Sequence, residues 1–71
     1  MSNDICIKLG ERIRKLRKEK GWTQTQMAVN LGLDLSYLSE VENGKQEICI
    51  RNMQVVARGF EISLSRLLSR L

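Results

Sequence analysis

The side chains able to do chemistry are unevenly placed along this chain. No histidine occurs in its 71 residues, so the group that most readily carries a proton near neutral pH is missing. Cys6 and Cys49 lie far apart in sequence, neither beside a base that would make it a nucleophile. Two cysteines also fall short of the roughly four ligands that a structural zinc ion takes. The carboxylates Asp34, Glu40, Glu42 and Glu47 are close in sequence, but capping, surface exposure and ion pairing account for them better than general acid–base work. There is no glycine-rich phosphate loop. Catalysis, a metal and a cofactor are therefore not expected. What remains is hydrogen-bonding chemistry for recognition: Thr23 and Gln24, then Ser36, Tyr37, Glu40, Asn43 and Lys45, interleaved with the apolar Leu35, Leu38 and Val41.

Such residues need elements to hold them, and helical spacing recurs from end to end. Leu9, Ile13 and Leu16 form one stripe, extended by Ile5 or Cys6, while Lys8, Glu11, Arg12, Arg14, Lys15, Lys18 and Glu19 take the wet side. This predicts a first helix from about Asp4, as N-cap, to Lys20, stopped by Gly21. Thr23 and Gln26 have the S/T-x-x-Q spacing of a capping box, which opens a short second helix, Gln24 to Leu31, with Met27, Ala28 and Leu31 inward. Gly32 ends it, and Asp34 caps a third helix that starts near Leu35 and closes at Gly44. Only Gly32 and Leu33 separate the end of one helix from the cap of the next. So tight a link forces a sharp crossing, the helix-turn-helix signature, over residues 23–44. Beyond a polar loop, a fourth helix is expected over about Ile50–Phe60, with Cys49 as a weak cap. A fifth follows from Leu64 to Arg70, capped by Ser63. Proline is absent and valine is sparse, so a sheet has little to build from. The fold class is all-α, a single domain over residues 1–71, with Trp22, Met27 and Met53 as core.

The totals bound the partners. Twelve Lys and Arg against eight Asp and Glu give a net charge of +4, which suits a polyanion and equally suits an ordinary soluble surface. A chain of this size has one small core and little surplus stability, so a disulfide, a metal or a second subunit is the usual support. The N-terminal "MSNDICIKLGERIRK" contains no long apolar run, so the cysteines are expected as reduced thiols in a cytosol and no membrane span is expected. Subunit association remains. On the functional side, a DNA major groove about 12 Å wide admits one α-helix if a second helix holds it proud of the body. The second and third helices supply that pair.

The residues "LGERIRKLRKEKGWTQTQMAVNLGLDLSYLSEVENGK" resemble the Cro and lambda-repressor-type helix-turn-helix domain, the xenobiotic-response-element family of bacterial and phage regulators. The resemblance covers about Leu9 to Leu68, and its most specific parts are "RKEKGWTQ", "LGLD" and "SEVENGK" in that order. It implies a compact five-helix, lambda-repressor-like fold and a transcription regulator of the bacterial or phage cytoplasm and nucleoid. It assigns DNA base contacts to Leu35, Ser36, Tyr37 and Glu40. Backbone contacts go to Thr23 and Gln24 at the start of the second helix, and to Asn43 and Lys45 beyond the third. It also pairs Arg17 with Glu42, leaving Arg17 near the phosphates. Leucine suits a thymine methyl and Glu40 can accept from cytosine N4. Tyr37 has two roles open to it, a phosphate bond through its hydroxyl or cover for the rim of the core. The chain departs from the family in having Ile48 where a proline is common, Glu61 where a glycine is common, and Leu35 where a polar residue is common.

The segments "LDLSYLSEVENG" and "ARGFEIS" are similar to the small controller proteins of restriction-modification systems; phage repressors and antitoxins are the alternatives within the family. A controller would be a homodimer on palindromic double-stranded DNA, regulating its own operon through concentration and not through a small-molecule ligand, with RNA polymerase as a further contact. The C-terminal apolar residues Ile62, Leu64, Leu67, Leu68 and Leu71 exceed the needs of one small core. They are expected to divide by face between core closure and a dimer seam. The rival from another class is a protein-interaction module, a bridging factor or antitoxin component that uses the acidic surface of Glu40 and Glu47.

Overall fold

The computed structural model describes the backbone from residue 4 and side chains from residue 5 to residue 71. Five helices follow one another: α1 (Asp4–Glu19), α2 (Gln24–Leu31), α3 (Leu35–Glu42), α4 (Ile50–Gly59) and α5 (Leu64–Leu68). Among the described residues there is no strand. The fold is the expected all-α, five-helix arrangement; α2 has the expected bounds, and the other helices end one or two residues earlier than the sequence reading. The cap expected of Asp4 concerns a side chain outside those described.

The caps explain the boundaries. At α2 both halves of the capping box form: Thr23 Oγ1 accepts from the Gln26 N–H at 3.1 Å, and Gln26 Oε1 accepts from the Thr23 N–H at 2.8 Å. Gly32, at φ 69°, adopts the left-handed conformation that ends α2, the turn that an L side chain resists. Asp34 then accepts from the Tyr37 N–H at 2.9 Å and starts α3, so the α2–α3 link is as short as predicted. Ser63 likewise caps α5 through the Arg66 N–H at 3.0 Å. Cys49 does not act as a cap; it occupies the N-cap position of α4 without a side-chain hydrogen bond, a thiol being a weak acceptor. After α4 the chain turns through Glu61 at φ 61°, so the left-handed turn is kept although the glycine common there is absent.

Leu9, Ile13, Met27, Ala28, Leu38, Val41, Val56, Ala57, Phe60 and Leu67 are the buried apolar core. Trp22 packs on its edge, stacked on Phe60 with ring centroids 5.9 Å apart. Cys6, half-buried, extends the α1 stripe, whereas Ile5 is exposed. Arg12, placed by the sequence on the wet side of α1, has a structural role: its guanidinium donates to the carbonyls of Leu67 at 3.0 Å and Ser69 at 2.9 Å. That satisfies carbonyls which the end of a short helix leaves without partners.

The approach of α1 to the C-terminal end of α3 matters most for the site. Gly10 is buried there, and a Cβ on it would overlap the carbonyls of Val41 and Glu42. Just beyond α3, Gly44 has φ 74°, and a Cβ would lie 2.7 Å from Ile7 Cγ1 and 2.9 Å from its Cα. Two glycines therefore let α1 lie directly on the end of the third helix.

Candidate nucleic-acid interface

At that contact a single carboxylate gathers four donors. Arg17 Nε donates to Glu42 Oε2 at 2.7 Å and its Nη2 to Oε1 at 3.1 Å, the bidentate fork that a guanidinium and a carboxylate form. Gln24 Nε2 donates to Glu42 Oε1 at 2.9 Å, and Arg14 Nε approaches the same oxygen at 3.4 Å. Burial by itself pushes the Glu42 carboxyl up. The hydrogen bonds from Arg17 and Gln24, the Arg17 charge and the bond from Arg14 together outweigh that and hold it below the ordinary carboxylate value. Among the described residues no buried side-chain nitrogen or oxygen lacks a partner. The cluster ties α1, the start of α2 and the end of α3 to one point.

The Arg17–Glu42 pair that the family resemblance implies is therefore present. Arg17 is only 8% exposed, and its remaining Nη1 donates to the Trp22 carbonyl at 2.9 Å. Three of its five N–H groups are thus given to Glu42 and the Trp22 carbonyl, which makes Arg17 part of the scaffold and leaves one N–H on each terminal nitrogen uncommitted. Gln24 is half-buried with one amide N–H already given to Glu42, and Thr23 Oγ1 is engaged in its cap, although the hydroxyl proton remains to be donated. Asn43 and Lys45 are exposed, and Asn43 Oδ1 accepts from Arg14 Nη2 at 2.7 Å.

The other end of α3 is open. Leu35 and Ser36 there, and Glu40 further along the helix, are exposed, Leu35 by 43%, while Leu38 and Val41 are buried. Leu35 thus stands outside the core although its spacing fits the core stripe. Tyr37 is half-buried, packs against the core, and its hydroxyl accepts from Asn52 Nδ2 on α4 at 3.1 Å. Its ring covers the core rim, and its own hydroxyl proton stays free to donate.

Of the C-terminal apolar set, Leu67 is fully buried in the protomer at 0% exposure. It is core, and a second subunit has no access to it. Ile62, Leu64, Leu68 and Leu71 are half-buried against the core. Sequence reasoning passed over Gly10 and Asn52 and placed Arg14 only on the wet side of α1. Gly10 carried a signal, a glycine inside a predicted helix. Arg14 carried a weaker one, because it lies three residues before Arg17 and so shares its face of α1. Asn52 carried none, since its partner is on another helix.

Residues 13–67 match the helix-turn-helix family. The chain belongs to that family, in its Cro/C1-type branch of DNA-binding transcription regulators. This helix-turn-helix chain is 41% identical over 68 residues to the control protein C.MunI of a Mycoplasma species, a match spanning 94% of this chain and 92% of that one. It superposes with a TM-score of 0.83 on the restriction-modification controller protein C.AhdI from Aeromonas hydrophila, at 35% identity over 87% of this chain and 94% of that one. Against a hypothetical transcription factor of Neisseria meningitidis it is 32% identical over 65 residues, 92% of this chain and 61% of the relative. Among the described residues no helix is long and apolar enough to cross a membrane, and no group of three or more His, Cys, Asp or Glu is placed to hold a metal ion.

Proposed function

We propose that this helix-turn-helix chain is a homodimeric regulator that reads a palindromic operator on double-stranded DNA and controls its own operon, as its similarity to C.MunI and C.AhdI suggests. The observation that carries this reading is the division of α3: Leu38, Val41 and Glu42 are buried, while Leu35 and Ser36, at the helix start capped by Asp34, and Glu40, further along, are exposed. Those three residues, with the Tyr37 hydroxyl, meet base edges. Asn43, Lys45, Thr23 and the remaining Gln24 N–H meet phosphates. The half-buried Ile62, Leu64, Leu68 and Leu71 form the seam with a second copy, and at the operator the dimer meets RNA polymerase. A two-fold dimer presents its two α3 helices to half-sites about 34 Å apart, one turn of DNA.

Titration against genomic fragments, including the DNA upstream of its own gene, at several salt concentrations tests this. A selected palindrome, a sedimentation mass of two chains and an affinity falling steeply with salt are expected. Salt-insensitive binding to no preferred fragment, with capture of a protein through the exposed Glu40 and Glu47 instead, would favour an interaction module.

A further inference from the structure

Arg14 sits beside the buried cluster without being needed to neutralise it. Glu42 is already bonded at 2.7 Å and 3.1 Å by the two arms of Arg17, so two guanidinium groups share one carboxylate and one positive charge is left over. Arg14 holds that surplus at the surface, its side chain 37% exposed. Its short hydrogen bond is the 2.7 Å bond from Nη2 to Asn43 Oδ1, and the 3.4 Å approach of Nε to Glu42 is the long one.

The bond to Asn43 has a chemical direction. A guanidinium has five N–H donors and no acceptor, whereas a primary amide has one face that accepts and one that donates. Arg14 can therefore bond only the oxygen of Asn43, and both N–H groups of that amide remain uncommitted. A phosphate oxygen only accepts. The orientation that Arg14 imposes is thus the one in which Asn43 can bind phosphate; the reversed amide would set oxygen against oxygen. Gln24 gives the contrast within the same cluster, because its nitrogen is the atom committed to Glu42.

We propose that Arg14 is a positioning residue for DNA binding: it occupies the amide oxygen of Asn43, so that this exposed residue at the end of α3 meets the phosphate as a donor. The proposal rests on the DNA-binding reading above. Its mechanism is distinct from a direct charge contact, since Arg14 acts through Asn43 and has no effect where Asn43 is absent.

A double-mutant cycle on the selected operator fragment tests it, with affinity read by fluorescence anisotropy and folding followed by thermal melts. Arg14→Met and Asn43→Ala each weaken binding about ten-fold, the size of a hydrogen bond to a charged partner. The double variant is weaker than Asn43→Ala by no more than about two-fold, because the oriented group is already gone. Arg14→Lys, still a pure donor, restores binding to within about three-fold of wild type. If Arg14→Met does not fold, Arg14→Ala completes the same cycle. Losses that multiply in the double variant, or a salt-dependence slope that falls by about 0.9 on replacing Arg14 in the Asn43→Ala background, would mean that Arg14 neutralises phosphate itself, and would overturn the proposal alone. Failure of the wild-type protein to bind any fragment would overturn the DNA-binding reading and this proposal together.

Discussion

The two ends of α3 are built to opposite specifications. At the C-terminal end Glu42 is fully buried, accepts from Arg17, Gln24 and Arg14, and lies under Gly10 of α1, where no side chain fits. At the N-terminal end Leu35 and Ser36 are exposed, and the structure there consists of one cap and a tyrosine ring on the core rim. On the proposed reading α3 enters a groove, and a helix that does so has to be rigid without using the side chains that read the groove. Placing all the anchoring at one end and on the buried face achieves that. The expected consequence is a separation of effects: changes at the anchored end alter stability, and changes at the open end alter recognition.

Glu42→Ala should show the largest effect. Removing one partner of a buried, hydrogen-bonded pair costs about 3–5 kcal/mol because the other charge stays buried, and a domain this size has only about 4–10 kcal/mol in total. The variant should be mostly unfolded at moderate temperature, whereas Glu40→Ala, two residues away on the exposed side of the helix, should change stability by less than about 0.5 kcal/mol. Equal thermal melts for the two would remove the distinction between the anchored and the exposed side of α3. The same group sets an acid limit. Its folded-state pKa lies below the ordinary value of about 4.3, so folding favours the ionised form. The stabilisation is complete above that value and is lost as pH falls through the lower, folded-state value. Urea unfolding of the wild type from pH 7 to pH 3 should show this loss at the acid end, and Glu42→Gln should lack that part of the pH dependence.

Gly10→Ala tests the contact from the other side. The added Cβ meets backbone carbonyls of Val41 and Glu42, which cannot rotate away as a flexible side chain can. Alanine favours a helix interior over glycine by about 1 kcal/mol, so propensity alone predicts stabilisation. Overpacking costs about 1–3 kcal/mol and should win, lowering the melting temperature. A rise would mean that α1 can shift off α3 without loss.

The cap at the open end should be worth less. Asp34→Ala removes the acceptor for the Tyr37 N–H and should cost about 1 kcal/mol, while Asp34→Asn or Asp34→Ser retains most of it. Chemical denaturation of the three variants orders them, and an alanine variant as stable as wild type would show that tertiary packing alone fixes where α3 begins.

How much of this was legible before the structure follows the range of each interaction. The capping box of Thr23 and Gln26, the stop at Gly32 and the cap at Asp34 are local, with partners three or four residues apart, and the sequence displays them. So does the five-helix fold, because each helix has its own apolar spacing. The Arg17–Glu42 pair spans 25 residues and came from family resemblance, not from pattern. The bonds of Arg12 to the end of α5, of Asn52 to Tyr37 and of Arg14 to Asn43 join helices distant in sequence, and charge or polarity alone does not distinguish such residues from a solvated face. Leu67 shows the reverse limit: Leu64, Leu67, Leu68 and Leu71 all fit an apolar surface, and only packing sorts Leu67 into the core.

Leu35 is where the comparison between the two ends can be drawn most finely, because its expected effect on folding is small. It is the first residue of α3, 43% exposed and apart from the core, so Leu35→Ala should change stability by less than about 0.5 kcal/mol. Periodicity alone would have placed it with Leu38 in the core and forecast a loss several times larger. If Leu35 instead meets a thymine methyl in the groove, its truncation should lower discrimination at one base-pair position of each half-site by about 1 kcal/mol, leaving preferences elsewhere and the salt dependence unchanged. Sequencing the fragments selected by wild type and variant reads this directly. A variant that melts like wild type but selects the same bases with the same stringency would show that the open end of α3 is not read at its first residue, and would move the start of the reading surface to Ser36.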